Sequence, residues 1–210
     1  MQTNSQIRQS SLAAMKGNWG SAVLITLLLI LIYAICGAGS ADEDHITPQM
    51  IALVLLIFIY LPVEFGVLKM FLGFARGEES LSPSGLGGAF NGTYYWKAIG
   101  TSILVGIYTF LWTLLLIVPG IIKGLSYSMS LYIIAENPEM GAEAAIKRSM
   151  EMMRGYKMKF FLMQLGYIGW VILSAVTLFI GLLWIIPYYQ TVFANFYLDV
   201  KADYEAARQQ

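Results

Sequence analysis

Two long runs almost free of charge constrain this chain more than any other feature. Residues 98–135 are 38 positions with a single charge, Lys123, and residues 160–198 are 39 positions with none. As one helix at about 1.5 Å per residue, either run would be roughly 58 Å long, nearly twice the ~30 Å hydrocarbon thickness of a bilayer. Neither can be a single spanning helix, so each must fold back. The chain breakers mark where: Pro119-Gly120 in the first run, Gly181 and Pro187 in the second. Pro119 suits the start of a returning helix, where its missing N–H costs nothing. The second turn is expected at residues 179–182 or nearer Pro187.

Two shorter runs precede these. Residues 17–41 carry no charge, and residues 46–63 carry none before the apolar pattern continues past Glu64 and Lys69 to Ala75. Between them lies the acidic loop Asp42-Glu43-Asp44-His45. The pattern predicts an all-α membrane protein, one integral domain over residues 1–210. Its six transmembrane helices form three hairpins, with spans near 19–39, 49–75, 98–118, 120–135, 160–179 and 182–199.

Composition agrees. The chain is 58% hydrophobic and 12% charged, against about 45–50% and roughly 25% in soluble domains. A soluble core of this size would leave roughly a third of the unfolded area exposed, too much for such a sequence. The 13 basic and 13 acidic side chains balance, which leaves no nucleic-acid footprint. A single cysteine, Cys36, excludes an intrachain disulfide and a zinc cluster. The N-terminus resembles a signal peptide in outline, but its uncharged run is long enough to span and reads as an uncleaved first helix.

Orientation follows the lysines and arginines. Arg8, Lys16, Arg76, Lys97, Lys147, Arg148, Arg154, Lys157, Lys159, Lys201 and Arg208 all fall on one side of the six spans, and only Lys123 with the acidic loop on the other. Both termini are expected in the cytoplasm. Trp19 beside Lys16, and Tyr94, Tyr95 and Trp96 beside Lys97, suit interfacial anchors.

The hairpins look related, as a pseudo-threefold repeat. Each returning helix has a proline after an apolar run, "LIFIYLP", "LLLIVP" and "LLWIIP", and two hairpins are entered through Met-basic-Gly, at Met15-Lys16-Gly17 and Met153-Arg154-Gly155. Asn137-Pro138-Glu139 reads as a helix start. The expected amphipathic helix at about residues 138–154 has Ala142, Ile146, Met150 and Met153 on one face. Glu143, Lys147, Glu151 and Arg154 line the other, with Glu143 and Lys147 in favourable i,i+4 spacing. Such a helix should lie along the inner membrane surface, and its polar face between Ala142 and Met153 suits a protein partner.

The segments "PGIIKGLSYSMSLYIIAENPEMGAEAAIKRSMEMMRGYKMKFF", "LGYIGWVIL" and "GLLWIIPYYQTVFANFYLD" closely resemble a family of small bacterial membrane proteins catalogued as domain of unknown function 975. The resemblance is strongest from Pro119 to Asp199. It implies a six-helix protein of the bacterial cytoplasmic (inner) membrane and no particular activity. The layout is also distantly similar to the membrane region fused to some glycerophosphodiester phosphodiesterases, which hints at a lipid-side partner. The glycine-rich stretch around Gly85 to Gly92 departs from the family's pattern.

Few residues offer chemistry. Glu64 is the one acid inside an expected span. It is either a proton or cation site or a carboxylate paired with Lys69 or Lys123. Lys123 either holds an anionic headgroup or snorkels to the outer interface. Pro62, Pro119 and Pro187 either break helices to line a cavity, as in transporters, or make ordinary kinks and turns. Tyr127 and Asn195, with Ser126, Ser128, Ser130, Gln164 and Gln190, suit interhelical hydrogen bonds or a polar path. Ser40, Asp44 and His45 have the residue types of a hydrolase triad but sit in one short loop. "GLGG" lacks the Lys-Ser/Thr ending of a phosphate loop and reads as a flexible linker. No metal site or cofactor is expected, and no catalytic constellation. The leading expectation is a non-catalytic membrane protein that handles or senses a small or lipidic molecule or assists a membrane complex. Its alternatives are a transporter with a site near Glu64, and a scaffold.

Overall fold

The computed structural model describes residues 1–37 and 46–209. The acidic loop at residues 42–45, with His45, and Ser40 lie outside the described residues. All the regular elements described are helical.

The first helix, α1 (Asn4–Met15), starts at a capping box. The Thr3 side chain accepts from the Gln6 N–H and the Gln6 side chain accepts from the Thr3 N–H, so two orphan donors are satisfied together. Its buried residues Ile7, Ser11 and Met15 recur every fourth position. α2 (Trp19–Gly37) follows. α3 (Ile46–Leu55), one π turn (Leu56–Tyr60) and α4 (Leu61–Ala75) then form a nearly continuous helix. Pro62 explains the π turn: it has no N–H to give to the carbonyl of Phe58 four residues back, and the ring crowds it. The backbone widens so that the Leu61 N–H bonds to the Leu56 carbonyl.

α5 (Tyr95–Leu115) and α6 (Ile117–Tyr127) form a hairpin that turns at the extended residue Leu116. The turn therefore comes before Pro119, which occupies the first turn of α6. Small residues bring the helices close. A methyl group on Gly120 would lie 2.7 Å from the Thr113 Cα, and one on Gly124 would lie 3.4 Å from the Thr109 methyl. That is Gly-xxx-Gly facing Thr-xxx-Thr, a close-packing arrangement suited to membranes.

The returning helix then breaks at residues 128–129, before α7 (Ser130–Glu136). One side chain from α8 (Ala142–Met152) closes the break. Ser149 accepts from the Met129 N–H at 3.1 Å and donates to the Ser126 carbonyl at 2.8 Å. It is completely buried.

α8 begins later than the sequence suggests. Asn137 ends α7 instead of starting α8, and its side-chain amide donates to the Ile133 carbonyl at 3.1 Å. Pro138 enforces the stop by disfavouring helical backbone before it. Gly141 precedes the first residue of α8, and the buried stripe is Ala145, Ile146, Ser149 and Met152, with Met153 after it.

α9 (Lys157–Ser174), a short 3-10 turn (Ala175–Thr177) and α10 (Leu182–Arg208) complete the chain. The turn falls at residues 175–181, with Leu178 and Phe179 in left-handed backbone, and Pro187 lies inside α10.

α10 packs against α1, α2, α4, α8 and α9. α1 lies between α9 and α10: Asn4 donates to the Lys159 carbonyl at 3.0 Å, and Asn195 donates to the Ser11 hydroxyl at 2.9 Å. "GLGG" is not a loose linker. It belongs to a 3-10 turn (Pro83–Gly87) seated on α4. A methyl group on Gly66 would lie 2.8 Å from the carbonyl oxygens of Gly85 and Leu86.

Burial is lopsided. The core gathers Phe65, Phe71, Met129, Ile133, Met152, Phe160, Phe196 and their neighbours near the end of the bundle that holds both termini. The hairpin tips expose apolar residues, among them Leu114, Leu115 and Ile117 on one and Val176 and Leu178 on another.

Removing the Ser149 hydroxyl leaves the Met129 N–H and Ser126 carbonyl without their side-chain partner at a buried break. Ser149→Ala is expected to cost about 1–3 kcal/mol, measured by unfolding in mixed micelles. An unchanged transition would show that Ser149 does not tie α8 to the α6–α7 break.

Candidate functional site

No side-chain hydrogen bond, ion pair or ring contact among the described residues joins any two of the seven candidate residues. Pro62 and Glu64 lie on α4; Pro119, Lys123 and Tyr127 lie on α6; Pro187 and Asn195 lie on α10. Glu64 is exposed on the surface of α4, within electrostatic reach of Tyr60 one turn back and Tyr132 of α7. It makes no hydrogen bond or ion pair to a described residue. Neither expected partner is free to pair with it. The Lys69 ammonium lies over the Tyr94 ring, 4.0 Å from its centre, and the Lys123 ammonium over Trp112 at 4.7 Å. Each cation is held on an aromatic face.

The prolines have local uses. The carbonyl that Pro62 frees, on Phe58, accepts the Tyr95 hydroxyl of α5 at 2.9 Å. Pro119 sits where a helix lacks N–H partners in any case. Tyr127 is buried, its ring 6.2 Å from that of Tyr108. Asn195 is used by Ser11 of α1.

What does converge is a charged cluster at the end of the bundle with both termini. Glu136, the last residue of α7, pairs with Arg76 just after α4 and, at 2.6 Å, with Lys201 of α10. The Tyr197 hydroxyl donates to the same carboxylate at 2.7 Å. The Glu136 side chain is only 6% exposed. Further pairs extend the cluster: Arg148–Glu205 at 3.7 Å, Lys201–Glu205 at 3.9 Å, and the Tyr204 hydroxyl on Glu151 at 2.7 Å. The Tyr156 hydroxyl bonds to Asp203, which, with burial, pushes its pKa up to about 12. Tyr197 also stacks on Tyr132, ring centres 5.0 Å apart. The cluster is thus linked through two rings to the neighbourhood of Glu64.

Sequence reasoning passed over Glu136 because it stands at the end of an uncharged run and reads as a boundary. The available signal was its position beside Asn137-Pro138, where the helix must stop. Arg8 was read as a topogenic charge alone, yet it lies against α9 and α10. The i,i+4 pair Glu143–Lys147 forms at 2.8 Å on the exposed face of α8, and Lys147 holds the Glu143 carboxyl below its usual range. Among the described residues, no group of three or more His, Cys, Asp or Glu side chains could hold a metal ion.

Five of the described helical stretches are long and apolar enough to cross a membrane: Trp19–Gly37, Pro48–Ala75, Tyr95–Leu115, Ile117–Glu136 and Lys157–Thr177. They define the class: an all-helical membrane protein. The chain belongs to the family described as "Protein of unknown function (DUF975)", whose model matches residues 1–126 and 113–204. Comparisons with curated proteins and with solved structures gave no match.

Truncating Glu136 leaves Arg76 and Lys201 beside each other with only longer contacts, to Glu78 at 3.7 Å and Glu205 at 3.9 Å. Glu136→Ala is expected to destabilise by about 3–5 kcal/mol, and Glu136→Gln by less, since the amide oxygen still accepts from Tyr197. Equal unfolding midpoints for Glu136→Ala and wild type would remove the cluster from its structural role.

Proposed function

We propose that this chain is a six-span protein of a bacterial cytoplasmic membrane, both termini inside, that handles or senses a lipidic or small apolar molecule without catalysing a reaction on it. α10 supplies the sixth span through residues 182–198, a stretch without charge. It carries Tyr188, Gln190, Thr191 and Asn195, and part of that polarity is satisfied inside the bundle: Thr191 by Pro187, Asn195 by Ser11. A repeated hairpin is supported by the two Met-basic-Gly entries. Met15 and Met153 are fully buried, Gly17 and Gly155 both have positive φ, and each turn closes by a bond to the methionine carbonyl. In each the glycine takes the third turn position, where left-handed backbone favours it.

The observation that carries the functional proposal is the lopsided packing. Polar groups are spent on holding one end together, while the hairpins open apolar grooves sideways to lipid. One, of about 530 Å³, lies between α6 and α9 and is lined by Val118, Ile121, Ile122, Leu125 and Phe161, with Lys157 also in its wall. Apolar walls with few polar groups suit an amphiphile.

The transporter reading keeps one observation in its favour, the unpaired carboxylate of Glu64 at an intramembrane position. The scaffold reading draws on the exposed Glu143 and Lys147 of α8.

Native mass spectrometry of protein extracted with its own lipids tests the proposal. The expected result is a retained species of defined mass that survives Glu64→Gln. Its loss on Glu64→Gln would move the site to Glu64 and favour transport, and bulk lipid alone would favour the scaffold. Topology is tested separately by cysteine labelling in a Cys36-less background: a cysteine at Glu43 should react from outside and one at Ala144 should not, and the reverse pattern would overturn the orientation.

A further inference from the structure

We infer that the groove between α1, α9 and α10 binds one anionic membrane lipid, with its phosphate held by Arg8 and Tyr189. This rests on the proposal that the chain handles lipidic molecules, and gives that proposal a headgroup charge and a place.

The groove has a volume of about 430 Å³, and its walls include Arg8, Leu12, Trp19, Trp170, Trp184 and Tyr189. Arg8 makes no ion pair or hydrogen bond to a described residue, and its Nε is buried without a partner. Tyr189 is 2% exposed, and its hydroxyl is also buried without a partner. Buried donors are normally satisfied, and leaving them bare costs free energy. Here two stand unsatisfied in one place.

They meet over Gly166 of α9. A methyl group built there would lie 3.4 Å from the Tyr189 hydroxyl and would collide with the Arg8 guanidinium. The glycine leaves room for both. A guanidinium only donates, and a phenol O–H beside it donates as well. The complement is an anion rich in acceptors, and a phosphate suits the guanidinium fork. The acid nearest along α10, Asp199, is already engaged by Lys159 and by the Gln2 N–H.

The shape of the groove indicates a lipid and not a free anion. The walls hold Trp19 at the start of α2, and Trp170 of α9 with Trp184 and Ile185 of α10 toward the α9–α10 tip. A phosphate at Arg8 therefore faces the leaflet on the side of the termini, with its chains along the tryptophan wall. Free phosphate would leave that wall uncovered. A half-buried arginine with an unpartnered Nε is costly without a counter-anion, and the lipid supplies one.

The test is native mass spectrometry of the full-length protein, delipidated and titrated with phosphatidylglycerol or phosphatidylcholine. Phosphatidylglycerol is expected to bind one per chain, and about tenfold more tightly than phosphatidylcholine. Arg8→Gln and Tyr189→Phe should each weaken phosphatidylglycerol by up to about tenfold. Gly166→Ala displaces only the flexible end of Arg8, so it should keep the wild-type unfolding midpoint and still weaken phosphatidylglycerol, no more than Arg8→Gln does. Equal binding of both lipids, or wild-type binding by Arg8→Gln, would overturn the site. So would full displacement of the lipid by equimolar inorganic phosphate. A native lipidic species retained by both wild type and Arg8→Gln overturns this site and leaves the broader proposal standing. No retained species in any variant overturns both.

Discussion

Inside hydrocarbon, a backbone N–H or C=O released from its helix has no water to turn to, and that constraint organises this protein. Its helices bend or break at several points, and side chains from neighbouring segments meet what is freed. Pro62 releases the Phe58 carbonyl, and Tyr95 of α5 donates to it. The α6–α7 break releases groups at Ser126 and Met129, and Ser149 of α8 answers both. The Asn137 amide returns to the Ile133 carbonyl at the end of α7, and the Thr177 hydroxyl accepts from the Gly181 N–H at the last tip. Two of these repairs are also tertiary contacts. A break thereby becomes a docking point, and the elements that supply the repair are fixed in register by it.

The Glu136 cluster does for charge what these bonds do for the backbone. It ties the C-terminal end of α4, the end of α7 and the middle of α10 through one nearly buried carboxylate. Two cations and a phenol on one acid leave little of its charge uncompensated, which burial demands. The cluster sits where the hairpins are held together, and among the described residues the tips at the other end share no ion pair. Rigidity is therefore concentrated at one end, and the outer halves of the hairpins are free to take their packing from lipid.

Much of this was legible in the sequence, and the misses have physical reasons. Uncharged run lengths gave the fold-backs, because bilayer thickness is a fixed ruler. The first turn came at Leu116, before Pro119, since proline is tolerated anywhere in a first helical turn and marks a region, not a residue; the second, at residues 175–181, overlaps the expected 179–182. The Asn137-Pro138 signal was ambiguous by chemistry: asparagine caps either end of a helix, and proline stops one as readily as it opens another. The glycines at 85–88 were read as slack, whereas glycine also permits close approach, which is its use against Gly66. Of the two readings of Glu64, the one that paired it with Lys69 or Lys123 came from charge alone, and the faces of Tyr94 and Trp112 hold both cations.

What the protein leaves unused is informative by subtraction. Most polar side chains within the bundle have a structural occupation: Ser126 and Thr26 bond back to their own helices, Ser130 of α7 bonds to the end of α6, Asn195 reaches Ser11, and Ser149 closes a break. Glu64 and Arg8 differ from Lys69 and Lys123 in having neither a hydrogen bond, nor an ion pair, nor an aromatic face among the described residues. They differ in setting. Glu64 is exposed on α4, within electrostatic reach of Tyr60 and Tyr132. Arg8 cannot shed its charge, is half-buried, and shares its position with an unpartnered buried phenol. A carboxyl can adapt to lipid by taking up a proton, but a guanidinium needs an anion. Of the two, Arg8 makes the stronger demand for a ligand, and the tryptophan wall beside it says which solvent that ligand comes from.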